Sequence, residues 1–109
     1  MLNEEAFRTK MRNNTAIINK ILGIFITKYG DDVQELQTLV NNGDMEKVYH
    51  FAHSLKGVFA NLCADEEAEL AGKIEQQSKQ GDTPDPDLIT EMIDRISKTN
   101  AQIHNILSN

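Results

Sequence analysis

The 109-residue sequence predicts an all-α fold, an antiparallel up-and-down four-helix bundle with one or two short accessory helices. Three observations lead there. Apolar residues recur at helical spacing almost from end to end, and no stretch alternates apolar and polar residues as a half-buried strand does. Capping residues and glycines divide the periodic stretches, and the connections between them are short enough to favour antiparallel neighbours. The length fits one domain over 1–109, and 39% hydrophobic with 26% charged residues is ordinary globular usage. Such a chain buries a core without disulfide or metal staples.

Each element follows from its own residues. A short first helix runs from about Asn3 to Arg12, with Phe7 and Met11 at i, i+4. Asn13, Asn14 and Thr15 supply a cap for a second helix carrying Ile17, Ile18, Ile21, Leu22, Phe25 and Tyr29. Gly30-Asp31-Asp32 reads as a stop followed by a new cap, and the next helix carries Val33, Leu36, Leu39 and Val40 to a stop at Asn42-Gly43. Asp44 caps a longer helix from about Met45 to Leu62. Asp65 or Ala64 opens another through Leu70, Ala71 and Ile74, ending near Gly81. The clearest break is Gly81-Asp82-Thr83-Pro84-Asp85-Pro86, a cap followed by a first-turn proline. The last helix carries Leu88, Ile89, Met92, Ile93, Ile96, Ile103 and Leu107.

Several function classes fall away. A formal charge of −6 argues against a nucleic-acid binder, which needs a basic footprint. The one cysteine, Cys63, cannot form an internal disulfide or a Cys-rich zinc site, so a reducing compartment is expected. No stretch approaches the ~20 apolar residues of a membrane span. The start Met1-Leu2-Asn3-Glu4-Glu5 does not read as a signal peptide, so a cytoplasmic location is expected.

The informative helix is the one from Asp44 to Leu62. At about 100° per residue, Val48, Phe51, Leu55, Val58, Phe59 and Leu62 share one arc, and His53 lies almost opposite its centre. On the side of His53 lie Glu46, Tyr49, His50, Lys56, Gly57 and Ala60. Lys56 at i+3 can reach whatever is bonded to the imidazole. Gly57 costs a helix interior ~1 kcal/mol relative to alanine. A helix that tolerates that cost beside an exposed histidine keeps the space above the ring clear.

These residues carry a resemblance. Ala52-His53-Ser54-Leu55-Lys56-Gly57, continuing Val58-Phe59-Ala60-Asn61-Leu62 into Ala64 and Leu70, resembles the histidine-containing phosphotransfer (HPt) domains of bacterial two-component phosphorelays. The local match runs from about Tyr49 to Glu75, and the length and helix layout fit across nearly the whole chain.

The resemblance implies a phosphoryl shuttle with no ATP-dependent kinase activity of its own. In such domains a histidine takes a phosphoryl group from an aspartyl phosphate on one receiver domain and passes it to an aspartate on another. Carried over, His53 is the nucleophile and Lys56 supplies positive charge near the phosphoryl oxygens. Gly57 gives clearance for the phosphate and the docking partner, and Glu75 on the following helix orients the ring. Tyr49, His50 and Ala60 are then expected at the docking surface. The partners implied are response-regulator receivers, docked transiently by a monomer, and the receiver brings the Mg²⁺, so no cofactor is expected on this chain. Whether the domain stands free or ends a hybrid sensor kinase anchored in the inner membrane stays open.

Other residues have plainer readings. Neither His50 nor His104 has a Glu three residues before it, so no bundle metal site is expected. His104 lies within the last apolar stripe and reads as a helix-packing histidine. Asp65, Glu66, Glu67 and Glu69 suit the positive end of a helix as capping and solvated carboxylates. Cys63 stands where many HPt domains have glycine. It reads as small and partly buried rather than redox-active, and it resists a left-handed turn, so the turn geometry stays open. No P-loop, nucleophile elbow or catalytic triad is present. The rival reading is a non-catalytic helical interaction module with His53 a bystander.

Overall fold

Six helices, most of them begun by a side-chain cap, make up the computed structural model, which describes residues 1–108. They are α1 (Glu4–Lys10), α2 (Thr15–Tyr29), α3 (Glu35–Asn41), α4 (Met45–Asn61), α5 (Asp65–Lys79) and α6 (Pro86–Leu107), with no strand among the described residues. Asn3 Oδ1 accepts from the Ala6 N–H at 3.0 Å, Asn14 Oδ1 from Ile17 at 3.1 Å and Asp44 Oδ1 from Lys47 at 3.1 Å. Each satisfies one of the N–H groups that a helix start leaves without an intrahelical partner. Asp85 does the same for Asp87 at 2.9 Å, and Pro86 occupies the first turn, where its missing N–H costs nothing.

The start of α3 differs from expectation. Asp32 Oδ1 accepts from the Gln34 N–H at 3.0 Å within a turn, so the helix begins only at Glu35 and Val33 stands ahead of it. Asp makes such local turns readily, and here the turn competes with direct capping.

The four long helices, α2, α4, α5 and α6, form the bundle, with α1 and α3 as the accessory pieces. The longest dimension is 41 Å; α6 alone, with its 22 residues, rises about 33 Å. The core runs along this axis through Leu22, Phe25, Leu55, Phe59, Met92 and Ile103, all at most 1% exposed. Each such side chain contributes roughly 1.5–3 kcal/mol by leaving water. Ring contacts tie α2 to α4: Phe25 and Phe59 centroids lie 5.6 Å apart, and Tyr29 meets Phe51 edge-on at 5.7 Å. The closest helix pair is α4 and α5, each carrying a small buried residue, Ala52 and Ala71.

The turn joining that pair resolves the question of Cys63. Cys63 does take the left-handed conformation, with φ 56°. The Ala64 N–H donates to the Phe59 carbonyl at 2.9 Å and the Cys63 N–H to Ala60 at 3.1 Å, the two bonds of a Schellman cap. Ala64 and Phe59 are both fully buried, which supplies the apolar contact that accompanies such caps. Together these bonds and contacts hold a side chain that would otherwise avoid this geometry at a cost of roughly 1–2 kcal/mol.

Two further expectations are corrected. Glu67 is not a solvated capping carboxylate but is fully buried: Arg95 Nη1 of α6 donates to its Oε2 at 2.6 Å, and the Met1 amino nitrogen lies 2.7 Å from the same oxygen. Arg95 also bridges Glu66 and Glu91, so one guanidinium fastens α5 to α6. Burial pushes the Glu67 carboxyl up, but the hydrogen bonds from the Met1 amine and Arg95 outweigh it and hold it below its ordinary range. His104, expected to pack between helices, is exposed; Ile103 beside it points to the core, and the 100° step carries His104 off that stripe.

Candidate functional site

The apolar arc of α4 is buried as its periodicity requires. Val48, Leu55, Phe59 and the following Leu62 are fully covered, with Phe51 and Val58 half-buried. The opposite strip carries His50, His53, Gly57 and Ala60 exposed, with Tyr49 and Lys56 half-buried along it. The strip is narrow because Ala52, next to His53, is also buried.

Three of the expected site residues meet at one carboxylate. Glu75, in the C-terminal half of α5, places Oε2 3.0 Å from His53 Nδ1 and Oε1 3.0 Å from Lys56 Nζ. The Glu75 side chain is only 15% exposed, whereas those of His53 and Lys56 are 60% and 43% exposed. Burial pushes the Glu75 carboxyl up, but the bonds from Lys56 and His53 outweigh this and hold it below the usual carboxylate range. An ionised carboxylate accepts only, so Nδ1 carries the ring proton. In the neutral imidazole Nε2 then holds the lone pair. The neutral ring is thus held in one tautomer, with its lone pair on Nε2.

Tyr49 forms a wall of the site. One turn before His53, its ring lies parallel to the imidazole with centroids 5.9 Å apart and planes 21° from each other. His50 meets Tyr49 edge-on at 5.2 Å and lies 3.9 Å from Glu46 Oε1. Across the cleft stand Ser78 and Lys79 of α5. At Gly57 an added Cβ would touch nothing within 4 Å, so this glycine lies beneath open space. Ala60 continues the exposed strip a turn further on.

Sequence reasoning missed Gly72. An added Cβ there would lie 3.5 Å from Lys56 Cδ, so the lysine stem crosses α5 over this glycine on its way to Glu75. The signal was present: a glycine inside an otherwise continuous helix, three residues before Glu75, invites the argument already made for Gly57. No three His, Cys, Asp or Glu side chains converge as metal ligands among the described residues. No described helix is long and apolar enough to cross a membrane.

A protein-family model described as the Hpt domain matches residues 20–99, from α2 into α6, and the chain belongs to that family. Membership implies histidine phosphotransfer in phosphorelays and interaction with receiver domains. No curated protein and no solved structure matched the chain.

Proposed function

We propose that His53 is the phosphoacceptor of this Hpt domain, and that Nε2 is the reacting atom. The single observation that carries the reading is the Glu75 carboxylate 3.0 Å from Nδ1, which fixes the proton on one nitrogen and leaves the lone pair on the other. In the forward step Nε2 donates its pair to the phosphorus of a receiver's aspartyl phosphate. The N–P bond forms, the acyl P–O bond breaks and the aspartate leaves as carboxylate. Nδ1 keeps its proton throughout, so no external acid or base is needed. The reverse step on a second receiver returns the electron pair to Nε2.

Phosphoryl transfer depends mainly on positioning and on neutralising charge around the moving group. Lys56 is the cation within reach, one turn along α4 from His53. Gly57 and Ala60 leave room for the partner, with Tyr49 and His50 at its edge. Mg²⁺ and the acceptor aspartate belong to the receiver in this reading. The partner docks transiently on a monomer in the bacterial cytoplasm, whether the domain stands free or ends a hybrid sensor kinase.

Treatment with a small phosphoramidate donor tests this without a cognate receiver. Wild type is expected to gain one acid-labile phosphoryl group by intact mass, and His53→Gln none. An equal gain in the variant, or none in wild type with either this donor or phosphorylated receivers, would favour a non-catalytic interaction module instead.

A further inference from the structure

We infer that Glu75 sets the lifetime of the phosphorylated domain, beyond orienting the ring, by holding the proton on Nδ1 of the phosphoimidazole. This inference rests on the assignment of His53 as phosphoacceptor. When water or a receiver carboxylate attacks the phosphorus, a new P–O bond forms, the N–P bond breaks and its electron pair returns to Nε2. If Nδ1 is protonated, the leaving group is neutral imidazole; if not, it is the far poorer imidazolate. A carboxylate 3.0 Å from Nδ1 favours the protonated ring by charge as well as by hydrogen bonding. A neutral amide at the same place would supply only the weaker hydrogen bond.

The second oxygen of Glu75 gives the device its setting. Lys56 Nζ, 3.0 Å from Oε1, draws on the same carboxylate and partly offsets its pull on the ring. The remaining charged or titratable neighbours are Tyr49 and His50 on α4, with Glu46 beside His50, and Lys79 one turn along α5. None of these is within hydrogen-bond distance of Nδ1, so Glu75 and Lys56 dominate. The consequence is a carrier tuned to surrender its phosphoryl group at neutral pH rather than to store it.

The test follows the loss of the phosphoryl group from pH 6 to 10 by intact mass, in wild type, Glu75→Gln and Lys56→Met, each phosphorylated with phosphoramidate. Loss should be fast while Nδ1 is protonated and slow above that range. Glu75→Gln should move the fall-off to lower pH, lengthening the lifetime near neutrality. Lys56→Met leaves the carboxylate unshared and should move it to higher pH. A purely structural role for either residue would shift neither profile. Coincident profiles in all three proteins would overturn the inference while leaving His53 as phosphoacceptor. Failure of wild type to accept a phosphoryl group at all would overturn both.

Discussion

The imidazole of His53 on α4 and the carboxylate of Glu75 on α5 meet at 3.0 Å across an interhelical seam, although 22 residues separate them in sequence. The contact links fold to chemistry. The tightest helix pair of the bundle carries the histidine on one member and its proton-fixing partner on the other. Rigidity of that pair therefore becomes precision at Nδ1.

Lys56 is expected to matter for transfer and little for folding. Its side chain is 43% exposed and bonded only through Glu75, so Lys56→Ala should leave the far-UV circular dichroism unchanged. Loss of a charge-assisted contact to the phosphoryl group should slow transfer about tenfold, equivalent to ~1.4 kcal/mol. Stopped-flow transfer to a receiver and a thermal melt measure the two effects separately. Loss of helicity would mark Lys56 as structural.

Gly57 is expected to matter for docking and little for the chemistry. Nothing lies within 4 Å of an added Cβ, so Gly57→Ala should stabilise the helix by up to ~1 kcal/mol. Gly57→Leu should slow phosphorylation by a receiver but not by phosphoramidate, since only the larger donor needs the open face. Equal slowing with both donors would place the glycine in the chemistry itself.

Arg95 and Glu67 should control acid stability. Arg95→Leu leaves a buried carboxylate short of one of its two partners and should cost about 3 kcal/mol in urea denaturation. Glu67→Leu with Arg95→Leu should recover much of that, because two apolar side chains replace a buried pair. The Glu67 carboxyl is held below its ordinary value in the fold, so its contribution is present above the unfolded carboxylate range. It is lost as pH falls through the lowered folded value, and the double variant should show less of that acid loss.

Cys63→Gly should stabilise the chain by up to about 1 kcal/mol. The relief of a left-handed cysteine exceeds the added freedom of glycine in the unfolded chain. At this chain length that corresponds to a rise in melting temperature of roughly 4–8 °C. A fall would mean that the half-buried thiol contributes more by packing than its backbone costs.

Much of this was legible in the sequence because it is local. Asn3, Asn14, Asp44 and Asp85 announce helix starts within a few residues of themselves, and the 3.6-residue period alone puts His53 opposite the apolar arc of α4. What was not legible depends on how helices sit against one another. Glu67 looks like any first-turn carboxylate until α6 brings Arg95 to it. Glu75 was reached through family resemblance, since periodicity within α5 does not say which face meets α4. Gly72 matters only because a lysine from another helix crosses it. Cys63 inverted a sound local argument, because a buried Schellman cap outweighed the residue's own preference.

The identity of the phosphorylated nitrogen tests the role of His53 and Glu75 most directly. ¹⁵N-labelled protein treated with phosphoramidate should show ³¹P–¹⁵N coupling to Nε2 of His53, with Nδ1 still protonated against Glu75. Coupling to Nδ1, or a phosphoryl group on any residue other than His53, would contradict the account.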